Sequence, residues 1–142
     1  MQQLRQGNKT ISVAATDALN DPKFIELAGD AAEGVIMPTP FLPDAPAAAE
    51  FSRAYEARFD KVPDYYSAFA YDAILVIGEA MKDLAGSGQA ITRQALRDAI
   101  ASAPPRNGVS DRIHFDQEGD PEMRETSLIV IENKAYRPYQ AS

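Results

Sequence analysis

The stretch Pro63–Gly88, PDYYSAFAYDAILVIGEAMKDLAGSG, sets the terms on which this chain can fold. Between Ser67 and Ala85 it carries no proline, and Gly78 is its one glycine. Phe69, Ala73, Ile74, Ile77, Met81 and Leu84 recur at helical spacing. Tyr71, Leu75 and Gly78 widen the apolar surface, leaving Asp72, Glu79, Lys82 and Asp83 as a narrow polar edge. Such a helix is central and must be packed on several flanks. Its apolar run from Ala73 to Gly78 is far shorter than the roughly 18 residues of a membrane span. Asp64 or Ser67 can cap its start, and Gly86-Ser87-Gly88 ends it.

A chain of 142 residues is ordinarily one domain, and 45% apolar with 25% charged residues suits a globular protein. A net charge of -7 argues against nucleic acid or an anionic membrane as partner. The absence of cysteine excludes a disulfide framework, a thiol nucleophile and a cysteine metal site. Met1-Gln2-Gln3-Leu4-Arg5 leads into no apolar segment, so no signal peptide is expected in this stretch.

In chain order, Lys9–Ala15 reads as a short buried strand, followed by a polar loop from Thr16 to Asn20. Asn20 or Asp21 caps a short helix with Pro22 in its first turn, and Gly29 closes it. Gly34–Met37 is a second strand, stopped by Pro38. Pro38, Pro40, Pro43 and Pro46 make a stiff crossing segment. Asp44 caps a helix to Phe59, with Phe51, Ala54, Tyr55, Arg58 and Phe59 facing inward. After the central helix, Thr92 caps another, with Ala95, Leu96, Ala99 and Ile100 inward, and Pro104-Pro105 stops it. Ile113–Phe115 is a brief strand, and Asp116–Asp120 a turn. A hairpin closes the chain: Ser127–Glu132, a turn at Asn133-Lys134, then Ala135–Pro138. The class is mixed α/β, with three consecutive helices and little sheet to cover them.

Enzyme chemistry finds no foothold. His114 is the one histidine and alternates with Ile113 and Phe115 as an outward strand residue. Asp116, Glu118 and Asp120 alternate like calcium ligands but lack the glycine position and terminal glutamate of an EF-hand loop, so a solvated turn is expected. No phosphate-binding glycine loop and no nucleophile elbow is present. Asp17 is the more informative acid. It stands just past a strand and just before a helix, where open α/β sheets bind ligands, and its carboxylate can receive an ammonium group. An Asx-turn or helix cap is the alternative.

Four motifs, taken together, carry a resemblance: Ala28-Gly29-Asp30-Ala31-Ala32-Glu33-Gly34-Val35, Phe51-x-x-x-Tyr55, Ala70-Tyr71-Asp72-Ala73, and Ile113-x-Phe115-Asp116-x-x-Gly119-Asp120. In this order they resemble the periplasmic type I substrate-binding proteins, in the leucine/isoleucine/valine-binding branch of the branched-chain amino-acid ABC transporters. The resemblance implies two α/β lobes joined by a hinge, closing on one small ligand and presenting it to a membrane permease, with no cofactor. It covers the C-terminal segment of such a protein. Residues 1–40 and 121–142 would belong to the C-terminal lobe and residues 41–120 to the helices of the N-terminal lobe. By the same resemblance Asp17 would bind the ligand's ammonium, and Tyr65 and Tyr66 would line the cleft, where packing at a helix start is their alternative. The parent would be periplasmic. Ser110-Asp111-Arg112 departs from the family, which usually has a glycine before its strand-and-Phe-Asp motif.

Three functions follow from the resemblance: the binding component of an amino-acid importer, which we favour, a ligand-sensing regulator on the same fold, or an interaction module that has lost its ligand. The uncovered helices imply that residues 1–142 alone do not form a compact monomer. Either copies associate into a homo-oligomer through the Asp44–Phe59 and Ser67–Ala85 helices, or the segment belongs to a longer chain.

Overall fold

The computed structural model describes residues 1–7, 10–122 and 126–140. The chain divides into two compact units, Met1–Pro40 with Thr126–Ser142, and Phe41–Glu125.

The first unit is built on a four-stranded sheet of order β1-β2-β5-β6. Its strands are β1 (Val13–Ala14), β2 (Val35–Thr39), β5 (Ser127–Glu132) and β6 (Ala135–Pro138). β1 runs parallel to β2, and β2, β5 and β6 are antiparallel neighbours. Val35, Met37 and Thr39 are fully buried and alternate with half-buried Ile36 and Pro38, so one face of β2 is core. Ile129, Val130 and Ile131 of β5 are buried in succession. The strand expected from Lys9 forms only at Val13–Ala14 among the described residues; Lys9 lies outside them. β2 runs through Pro38 instead of stopping before it. Pairing with β1 reaches only to Ile36, so the later part of β2 has a strand on one side alone, the edge-like setting that tolerates proline.

Two helices join the sheet, α1 (Gln2–Gly7) and α2 (Pro22–Ala28). α1 has no counterpart in the sequence reading. Arg5 ties it down, donating to Ile11 O and Glu33 O at 2.7 Å each. α2 begins as expected, with Asp21 accepting from Lys23 N at 2.7 Å and Pro22 in its first turn. Gly29 ends it at φ 56. The closing hairpin turns at Asn133 and Lys134, both at positive φ. Glu33 secures this strained turn by accepting from Asn133 N at 3.0 Å and Lys134 N at 2.8 Å. Glu33→Ala is therefore expected to cost about 1 kcal/mol, read as a lower urea midpoint, because two backbone donors lose a charged acceptor but regain water.

The second unit holds α3 (Ala49–Phe59), α4 (Tyr65–Gly86), α5 (Arg93–Ala101) and a small ribbon of β3 (Arg106–Asn107) against β4 (Arg112–Ile113). α3 starts five residues after the expected cap at Asp44. Residues 42–48 form successive turns instead, with Ala45 N donating to Leu42 O and Ala48 N to Ala45 O. Pro43 and Pro46 cannot donate to a helix there. Phe51 and Tyr55 face partly inward, whereas Ala54, Arg58 and Phe59 are exposed. Ser52 is buried and donates to Pro43 O at 2.8 Å.

α4 is capped by Asp64, which accepts from Ser67 N at 2.8 Å. Its buried residues are Ala68, Asp72, Val76, Ala80 and Leu84, one position in four. The expected inward stripe is displaced: Ala73, Ile74, Ile77 and Met81 are exposed, and Asp72, assigned to the polar edge, is buried. At Asp72 the cause is the β3–β4 ribbon, which docks on α4 by polar contacts. Asp72 accepts from Val109 N at 2.7 Å, from Ser110 N at 3.0 Å and from the Ser110 hydroxyl. Arg106 pairs with Glu79 and, at 2.9 Å, with Asp83. These two hydrogen-bonded carboxylates hold the Arg106 guanidinium above its ordinary range. α5 keeps the expected cap and face: Thr92 Oγ1 accepts from Ala95 N at 3.1 Å, and Ala95, Leu96, Ala99 and Ile100 are half-buried.

The candidate ligand-binding elements

Asp17 stands in the first unit, directly after β1, in a single 3-10 turn, Asp17–Leu19. Thr16, not Asp17, occupies the N-cap position, and no side chain caps the turn. The Asx-turn and cap alternatives for Asp17 therefore fall away. Among the described residues nothing hydrogen-bonds or pairs with its carboxylate, which is half-buried. A carboxylate without a local duty at the carboxyl end of a strand is free to meet a cation.

The backbone that carries Asp17 is held tightly. Ala15 N donates to Ile36 O, Leu19 N to Thr16 O, and Asn20 N to Asp17 O. Asn20 Nδ2 lies 3.3 Å from Oγ1 of the buried Thr39. Tyr136, on β6, brings its hydroxyl within 2.7 Å of Leu19 O and 2.9 Å of Asp21 O, and accepts from Asp21 N at 3.1 Å. Burial pushes this phenol above its usual range. Its folded-state value thus lies above the unfolded one of about 10, so its contribution is complete at neutral pH and is lost as pH rises through the folded value.

Tyr65 and Tyr66 open α4 in the second unit, their rings 4.1 Å apart between centroids. Tyr65 is half-buried against the cluster of Phe41, Ala48 and Ala68, and meets Phe69 edge-on at 5.9 Å. Tyr66 is 68% exposed. The structure thus brings Tyr65 and Tyr66 together and places Asp17 in the other unit.

Of the alternating acids Asp116, Glu118 and Asp120, the first has a structural duty. Asp116 accepts from Glu118 N at 3.0 Å and Asp120 N at 2.8 Å, closing its own turn, with Gly119 at φ 86. Among the described residues no group of acids and histidines is placed to hold a metal ion. His114, expected to point outward, is half-buried with Nδ1 2.9 Å from Glu122 Oε1. No described helix is long and apolar enough to cross a membrane.

A model of the periplasmic binding protein family matches residues 1–134. The chain belongs to the periplasmic binding protein family. This family is made up of periplasmic binding proteins of transporters, which are not enzymes. A candidate branched-chain amino acid ABC transporter protein from Rhodospirillum rubrum is 32% identical, with a TM-score of 0.76 over 96% of this chain. The leucine binding protein LivK of Thermotoga maritima is 27% identical, with a TM-score of 0.81 over 97%. The branched-chain amino acid binding protein LivJ of Streptococcus pneumoniae, solved with isoleucine, shares the fold at 20% identity and a TM-score of 0.80 over 94%. The chain spans 39%, 39% and 38% of these relatives' own lengths. Among curated proteins no sequence matches it. The fold is thus that of a type I periplasmic binding protein, and the mixed sheet and helices are part of it.

Proposed function

We propose that the protein containing this chain is the substrate-binding component of an ABC importer, and that it holds a branched-chain or other small neutral amino acid between two lobes. It would work in the periplasm and pass its ligand to a membrane permease. The first unit would contribute to the C-terminal lobe and the second to the N-terminal lobe. The observation that carries this reading is the Asp17 carboxylate, unengaged among the described residues on a hydrogen-bonded turn past β1. It would accept the ligand's ammonium, a charge-assisted bond worth about 1.5–3 kcal/mol. Tyr66, with its exposed ring, would lie along the ligand's side chain, while Tyr65 would support it from the aromatic cluster.

Asp17→Ala in the complete protein is expected to weaken leucine, isoleucine or valine binding at least tenfold, about 1.4 kcal/mol. Calorimetry with these three amino acids, and with amine-free 4-methylpentanoate beside them, is the test. Unchanged affinity for the amino acids would reduce Asp17 to a loop residue. Preference for the amine-free acid would replace the ligand class.

A further inference from the structure

We infer that Tyr136 is a positioning residue for the Asp17 carboxylate; this rests on the ligand-binding reading just proposed. β6 is one edge of the sheet and β1 the other, yet Tyr136 of β6 reaches the turn that follows β1. Its hydroxyl meets Leu19 O at the end of that turn at 2.7 Å, and Asp21 O and Asp21 N at the cap of α2 at 2.9 and 3.1 Å. It therefore fixes the segment immediately after Asp17, from Leu19 to Asp21, against the far side of the sheet.

The turn needs such a fixture. A 3-10 turn of three residues has poor hydrogen-bond geometry of its own. Thr16 provides no side-chain cap at its start. Among the described residues, its other side-chain anchor is the 3.3 Å contact from Asn20 to Thr39. A ligand charge recognised by one carboxylate demands that the carboxylate sit still, because an ordering cost at binding subtracts from affinity. Tyr136 supplies that order before the ligand arrives. It touches no ligand itself; it acts through the backbone that carries Asp17.

The test is a double-mutant cycle in the complete protein, with leucine, isoleucine and valine as calorimetric probes. Tyr136→Phe keeps the ring and removes the hydroxyl. It is expected to weaken binding about fivefold, the value of one to two neutral hydrogen bonds. In the Asp17→Asn background the same change is expected to cost less than about twofold, since the group being positioned no longer binds an ammonium. Amide exchange at Asn20 and Asp21 reads the fixture without any ligand, and is expected to quicken in Tyr136→Phe. Asn20→Ala offers a second variant that leaves the tyrosine in place. It should show the same background dependence if Tyr136→Phe does not fold. Unchanged affinity, equal losses in both backgrounds, or unchanged exchange would each overturn the positioning role. An Asp17→Asn protein that binds as well as the native one would instead overturn the ligand-binding reading on which it rests.

Discussion

Gly108→Ala is expected to destabilise the second unit by about 3 kcal/mol, a large part of the 5–15 kcal/mol typical of a domain. A β-carbon on Gly108 would meet Oδ2, Cγ and Oδ1 of Asp72 at 2.5, 2.6 and 2.7 Å. Side chains at the far end of a flexible arm could step aside, but Asp72 cannot. It is 3% exposed, it stands in the buried stripe of α4, and its oxygens already accept from Val109, from Ser110 N and from the Ser110 hydroxyl. Moving it leaves backbone donors and a buried charge without partners, which costs more than the overlap alone. Asp72→Ala is expected to be comparably damaging, because it removes the acceptor and keeps the donors. The two changes share one contact, so together they should cost little more than Asp72→Ala alone. Chemical denaturation of the four proteins measures this. A Gly108→Ala protein within 1 kcal/mol of the native one would mean that the loop has room to shift and that the clamp is not rigid.

The contrast between Asp72 and the helix caps shows which parts of this fold are legible in the sequence. Asp21, Asp64 and Thr92 act on donors two or three residues ahead, so position in the chain assigns Thr92 and narrows each of the other two caps to a pair of candidates. The Asn133-Lys134 turn is equally local: two residues that take positive φ between two short strands. Asp72 serves Val109 and Ser110, 37 and 38 residues away. Helical periodicity could only place it on the polar edge, because an acid among apolar neighbours usually faces water. The same distinction separates Asp17 from Tyr136. A carboxylate after a strand and before a helix is visible in order alone, whereas the tyrosine that fixes its turn lies 115 residues from Asp21. A tyrosine in a half-buried strand does signal that its hydroxyl wants a partner, but not which one. The expectation that β2 ends at Pro38 rests on the rule against proline, which presumes partners on both sides. The shortness of β1 removes that premise.

A polypeptide of residues 1–142 is expected to self-associate at micromolar concentration through α4. At 100° per residue, Tyr66, Ala70, Ala73, Ile74, Ile77 and Met81 fall within roughly a quarter turn of one another. All six are exposed, Tyr66 at 68% and Ile74 at 70%. The β3–β4 ribbon docks on α4 through other residues, Asp72, Glu79 and Asp83. Burying a large apolar side chain is worth about 1.5–3 kcal/mol, so four of them brought together on each copy can offset the cost of association. Exposed apolar surface of this extent and continuity marks an interface rather than scattered surface residues. Ile74→Glu is expected to disperse the assembly: a symmetric contact would bring two carboxylates into an apolar centre, at a cost of several kcal/mol. Because Ile74 is 70% exposed in the folded chain, the same change should leave the monomer's stability within about 0.5 kcal/mol. Light scattering of the two proteins across a dilution series separates the outcomes. A monodisperse monomer with Ile74 in place would show that this face of α4 is tolerated in water. Association that survives Ile74→Glu would place the contact on another surface, such as the exposed Phe59 of α3 and the neighbouring Val62.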